Sequence, residues 1–84
     1  MNELPQLVEA RHLGEYRVWL RFSDGSEGEA DLAQDMWGEV FEPLLDLGQF
    51  AMLRVDPAMG TIVWPNGADL APEYLYGKVA RHAG

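Results

Sequence analysis

Eighty-four residues with a formal net charge of −8, 48% hydrophobic residues and no cysteine predict one packed domain, residues 1–84, around a single modest core. The lack of Cys excludes disulfide scaffolds, thiolate zinc sites and thiol nucleophiles, and leaves packing to supply the stability. Six bases against 14 acids argue against direct nucleic-acid binding, because neutralising a phosphate backbone requires Lys and Arg.

Residues 7–13 are the first expected strand, turning near Gly14. Burying Glu9 and Arg11 would be costly, so Val8, Ala10 and His12 are expected to face inward, beside Leu20, Val18 and Tyr16. Residues 16–22 alternate cleanly, with Tyr16, Val18, Leu20 and Phe22 on one face and Arg17, Trp19 and Arg21 on the other, the period of a half-buried strand. Residues 26–32 alternate again after a Ser23-Asp24-Gly25 turn. A three-residue loop with Gly25 left-handed sets Phe22 opposite Ser26, Leu20 opposite Gly28 and Val18 opposite Ala30, whereas a two-residue loop mixes the faces. That register also puts Arg21 by Glu27 and Arg17 by Asp31. Trp19 stands on the charged outer face, as a binding anchor or as packing under the Arg stems. His12, at a strand end, reads as hydrogen-bonded or exposed rather than as a ligand.

Asp35, Glu39, Glu42 and Asp46, spaced four, three and four apart, would make one acidic stripe on a continuous helix, with Val40, Phe41, Leu44 and Leu47 turned inward. Pro43 would sit too deep in such a helix. A turn near Trp37-Gly38 followed by a short helix opening near Pro43 is the better reading, and it bends the stripe. Residues 50–55 and 61–64 read as a second hairpin whose turn is opened by Asp56-Pro57 and closed by Gly60. Trp64-Pro65-Asn66-Gly67 leaves that hairpin through a tight loop. Pro72 and Glu73 then open a helix to about His82, with Leu75 and Val79 as its buried stripe beside Tyr76 and Ala80, and Lys78, Arg81 and His82 near its negative end. The sum is an α+β fold: an antiparallel meander of about five strands, three then two, with a short middle helix and a C-terminal helix.

The charge is unevenly placed. Residues 1–42 carry ten acids and three bases, residues 43–84 four acids and three bases, and eight acids with no base fall between Asp24 and Asp46. Such a run is either a surface for a basic partner or a set of solvated faces. Catalytic chemistry has little to draw on. Ser23 and Ser26 belong to a turn, two His and no Cys give no nucleophile–base pair, and no glycine-rich phosphate motif occurs. The stretch from Asp24 to Asp31 fails the calcium-loop pattern, so no metal and no cofactor are expected. The first seven residues lack a basic and an apolar region, and no apolar run reaches the ~20 residues of a membrane span, so a cytoplasmic protein is expected.

The run from Phe50 to Tyr76 contains Trp64-Pro65-Asn66-Gly67-Ala68-Asp69 and Pro72-Glu73-Tyr74-Leu75-Tyr76. With Phe22-Ser23-Asp24-Gly25, Asp31-Leu32 and Phe41-Glu42-Pro43-Leu44 upstream, it resembles the small bacterial family catalogued as domain of unknown function 2442, over essentially the whole chain. The resemblance implies an α+β fold of meandering sheet and helices. Some such relatives are joined to a helix-turn-helix domain, for which this chain has no room, and some lie beside small toxin-like proteins, which implies an antitoxin-like or accessory role. Where the motif would carry a capping Asp, Ser or Thr before Pro72, this chain has Ala71, leaving Asp69 as the possible substitute.

Trp64, Asn66, Asp69, Tyr74 and Tyr76 admit two readings: core, turn, cap and packing residues, or one polar-aromatic rim suited to a protein contact. The expected function is a non-enzymatic interaction domain for a protein partner, which the acidic charge allows to be basic, meeting it through that rim or through Trp19, Glu29, Asp35, Glu39, Glu42 and Asp46. The alternatives are neutralisation of a basic toxin encoded nearby and, third, a small enzyme with a carboxylate site. An exposed strand edge in so small a sheet also allows a homodimer.

Overall fold

The computed structural model describes residues 5–83, with side chains as far as Val79. Residues 1–4 and the side chains of Ala80, Arg81 and His82, on which part of the sequence reading rested, lie outside the described residues. In chain order the elements are β1 (Leu7–Gly14), β2 (Arg17–Phe22), β3 (Glu27–Asp31), 3-10 turns at Ala33–Asp35 and Glu42–Leu45, α1 (Leu47–Phe50), β4 (Arg54–Asp56), β5 (Thr61–Val63) and α2 (Pro72–Ala83). β1, β2 and β3 form an antiparallel three-stranded sheet in that order, and β4 and β5 a separate antiparallel pair. The architecture is α+β.

The β2–β3 hairpin has the register that alternation dictates. Leu20 pairs with Gly28 and Val18 with Ala30, Phe22 N donates to Ser26 O at 2.8 Å, and Gly25 takes a φ of 92°. The expected ion pairs do not form across it. Arg21 reaches instead to Glu9 on β1 at 3.0 Å, and Arg17 to Glu29 at 3.5 Å rather than to its cross-strand neighbour Asp31. Glu9 is the direct partner of Arg21 in the β1–β2 register, whereas Glu29 is diagonal to Arg17 and within reach of its long stem; Glu9 gathers Arg11 at 3.1 Å as well.

β1 departs from the expected inward set. Its pairing slips once between Leu7 and Glu9 and again between His12 and Gly14. The extra residues, Val8 and Leu13, are turned out, 44% and 42% exposed. Two bulges of this kind let Leu7 pair with Phe22, Ala10 with Leu20 and His12 with Val18 while Glu9 and Arg11 stay outside. Leu7, not Val8, therefore heads the buried face.

The second hairpin begins later than its apolar run suggests. Asp46 accepts from Gly48 N at 2.8 Å and Gln49 N at 3.3 Å, so residues 47–50 form the short helix α1 and Phe50 ends it instead of opening a strand. Pro43 sits in the first turn of the 3-10 segment, where its missing N–H costs nothing, and the four residues that a continuous helix would have turned inward split, as the break at Pro43 implies. Leu44 is buried, Phe41 half-buried, and Val40 and Leu47 exposed. The β4–β5 turn has Asp56 accepting from Ala58 N at 2.9 Å and Gly60 with a φ of 67°.

Phe50 joins the two sheets. Its ring meets His12 and Tyr16 edge-on, with centroids at 5.4 and 5.3 Å, and lies 5.7 Å from the Trp64 ring. Trp64 is buried, and its Nε1 donates to Phe50 O at 3.0 Å. Leu7 N adds a backbone link to Gly60 O at 3.0 Å. α2 covers β3 with Leu75 and Val79, both buried. The approach is close at Gly28, where an added Cβ would lie 3.2 Å from Val79 Cγ1. The two sites should therefore couple. In urea unfolding, Gly28→Ala should cost less in a Val79→Ala background than in the wild type, by about 0.5 kcal/mol or more. Val79→Ala alone should cost roughly 2 kcal/mol.

Candidate functional site

Between β3 and the 3-10 segment at Glu42 the chain makes an open excursion. Met36 is buried and Phe41 packs edge-on to Trp64 at 6.2 Å, so both ends of the stretch are anchored in the core. Gly38, with a φ of 88°, makes the reversal between them. Trp37 is thereby put outside, 74% exposed. Asn66 braces the excursion from the opposite side: its Nδ2 donates to Val40 O at 2.9 Å, while its Oδ1 accepts from Ala68 N at 3.1 Å.

The excursion and the start of α2 bound an open cleft of about 710 Å³, lined among others by Asp35, Trp37, Glu39, Phe41, Leu70 and Tyr74. Tyr74 OH donates to Asp35 Oδ1. Lys78 Nζ stands 3.5 Å from Asp35 Oδ2 and 5.2 Å from the centre of the Tyr74 ring. At 3.5 Å Lys78 balances the charge of Asp35, yet Oδ2, buried, accepts no hydrogen bond. The Asp35 hydrogen bond, reinforced by burial, pushes the Tyr74 phenol up from its ordinary value, so it stays a protonated donor well past neutrality.

The residues marked out by sequence are distributed over the molecule. Asp35, Glu39 and Tyr74 meet at the cleft. Trp64 is a core residue, not part of a rim. Tyr76 faces the β2–β3 turn, with its OH 2.7 Å from Asp24 Oδ2 and its ring edge-on to Phe22 at 5.1 Å. Asp69 is exposed and joins Val63 in an isolated bridge, and Leu70 O beside it accepts from the Thr61 hydroxyl. Glu42 is exposed on its 3-10 turn, and Asp46 spends its carboxylate on α1.

Trp19 lies on the outer face of the three-stranded sheet, half-buried under the Arg11 guanidinium at 5.6 Å. Glu29 is opposite it, in a shallower recess of about 450 Å³ shared with Glu9, Arg11 and Leu13. Glu9 itself is held below the usual carboxylate range by its hydrogen bonds from Arg21 and then Arg11. Sequence reasoning missed two members of the cleft network. The sequence marks Trp37 only as a turn residue and Lys78 only as a charge near the negative end of the helix. The available signal was a large aromatic fitting neither the strand nor the helix period.

Among the described residues no group of three or more His, Asp or Glu side chains stands ready to hold a metal ion, and no helix is long and apolar enough to cross a membrane. A model of the family described as "Protein of unknown function (DUF2442)" matches residues 7–81. The chain belongs to this family. No curated protein and no solved structure matches it. The DUF2442 match spans both sheets, the cleft and α2 down to residue 81, so the Trp64–Asp69 loop that braces the cleft lies inside the family's own domain.

Two consequences are measurable. Asn66→Ala removes both the brace to Val40 and the acceptor for Ala68 N, and should lower stability by about 1 kcal/mol in urea unfolding. Asp24 titrates below its ordinary value because the Tyr76 hydroxyl, and then the Ser26 N–H, bond to its charged form. Its folded pKa lies under its unfolded one, so this contribution is complete above about pH 4 and fades as pH falls through the folded value. Tyr76→Phe should therefore be less stable than wild type at pH 7, with the gap narrowing below about pH 4 in urea titrations at several pH values.

Proposed function

We propose that this protein is a non-enzymatic interaction domain that seats a segment of a basic protein partner in the cleft beside Trp37. The carrying observation is Trp37 itself, 74% exposed on a stretch whose two ends are fixed in the core. Exposed aromatics on rigid backbone are where interface energy concentrates, because their burial gains much and costs little side-chain entropy. Val40, 49% exposed, and the half-buried Phe41 and Leu70 extend the apolar lining. The net charge of −8 and the exposed carboxylates of Glu39 and Glu42 favour a partner of opposite sign. The same charge supports the narrower, antitoxin-like reading, in which the partner is a basic toxin encoded nearby.

Trp37→Ala should leave the unfolding free energy within about 0.5 kcal/mol of wild type, since a side chain in solvent contributes little to folding. It should weaken a partner identified by affinity capture, then purified, by about tenfold or more. A purified partner that binds Trp37→Ala as tightly as wild type, or capture that yields nothing above background, overturns the reading. Co-expression that relieves growth arrest by a neighbouring basic toxin, with relief lost in Trp37→Ala, would support the antitoxin form.

A further inference from the structure

The cleft has a chemical character beyond being apolar. Trp37, Phe41 and Tyr74 supply aromatic faces, Asp35 and Glu39 supply carboxylates, and no Lys or Arg is among the described residues that line it. Glu39 is exposed and enters none of the ion pairs among the described residues. Among the described residues the cation nearby is Lys78, which lies over the Tyr74 ring and is engaged with Asp35. Among the same residues two cation–aromatic contacts are already built, Lys78 over Tyr74 at 5.2 Å and Arg11 over Trp19 at 5.6 Å. Trp37 has no such cation above it among the described residues, and the indole is the side chain whose face attracts one most strongly.

We infer that the cleft recognises an arginine side chain of the partner, its guanidinium stacked on Trp37 and forked toward Glu39. This rests on the docking reading above and names the group that the cleft selects. Arginine fits better than lysine for two reasons. The guanidinium is planar and weakly hydrated, so it can lie flat on an indole in a cleft open to water, where an ammonium keeps its hydration shell. It also carries donors in a fixed fork that meets a carboxylate while the plane stays stacked. Asp35 is already paired with Lys78 at 3.5 Å, so Glu39 is the lining carboxylate left for the guanidinium among the described residues.

The test is titration of the 15N-labelled protein with three peptides, acetyl-Gly-Arg-Gly-amide and its lysine and citrulline counterparts, with methylguanidinium as a fourth probe. The readout is the Trp37 indole N–H resonance, assigned by its loss in Trp37→Phe. The arginine peptide should shift it saturably, with the neutral citrulline isostere binding at least about fivefold more weakly and lysine in between. Glu39→Gln should weaken the arginine peptide about threefold and reduce its salt dependence, while Glu29→Gln, on the outer face of the sheet, should not. A peptide that outbinds methylguanidinium marks a protein side chain as the ligand. Equal binding of the two overturns that assignment. Citrulline and arginine peptides that shift Trp37 alike, or no shift with any, overturn arginine recognition. If Trp37→Ala still abolishes binding of the purified partner in that event, the docking reading stands without it. If Trp37→Ala leaves partner binding intact, the docking reading falls and takes this inference with it.

Discussion

The buried hydrogen bond from Trp64 Nε1 to Phe50 O ties the end of the β4–β5 hairpin to α1, and much of the core is arranged around it. An indole N–H buried without an acceptor is expensive, so burying Trp64 requires a carbonyl at that point of the core. Phe50 supplies it because α1 ends there, and α1 ends there because Asp46 caps its start. The Phe50 ring in turn touches His12 of the first sheet and Tyr16 of its β1–β2 turn. Two residues beyond Trp64, Asn66 is carried to Val40 O and braces the wall of the cleft. One buried donor thus links the β4–β5 hairpin, the helix–sheet junction and the surface that presents Trp37.

The acidic excess proves to be largely architectural. Asp24, Asp31, Asp46 and Asp56 each accept a hydrogen bond from the backbone N–H two residues on, at 2.8–2.9 Å. Each closes a turn, and a chain with nine elements in so few residues needs many turns. Glu9 and Glu29 are answered by arginines and Asp35 by Lys78. Of the eight acids from Asp24 to Asp46, Glu27, Glu39 and Glu42 are left as exposed carboxylates in none of these ion pairs or turn hydrogen bonds. Glu39 is the one of the three that lines the cleft.

What the sequence made legible follows from how local the determinants were. The β2–β3 register was readable because alternation and one left-handed glycine fix it within fifteen residues. The α2 start and its Leu75–Val79 stripe were equally local. β1 was misread because a bulge leaves no mark on composition: Leu7 and Val8 are both apolar, and only the Phe22 partner on β2 decides which goes in. Phe50 was misread because a capping aspartate three residues before Gln49 competes with β propensity, and in a helix this short the cap decides. Ion pairing escaped local reasoning because the bulge at Val8 sets Glu9 directly opposite Arg21, and because Arg17 reaches diagonally to Glu29. The family resemblance was legible in the Trp64–Asp69 motif, whose work here is to fill the core and brace Val40.

The exposure of Trp37 follows from the same constraints. Met36 and Phe41 are both claimed by the core, and Gly38 reverses the chain between them, so the intervening side chains have nowhere to go but outward. A core this small has no spare volume to recover a second large indole once Trp64 is inside. Exposure alone would be a liability, because an apolar aromatic on a mobile loop invites unspecific contacts. Here the backbone is tied at both ends and braced at Val40 by Asn66, so the ring is presented from a nearly fixed position. The ordering cost of this surface is thereby met during folding, so a contact made through Trp37 would carry little further entropic cost.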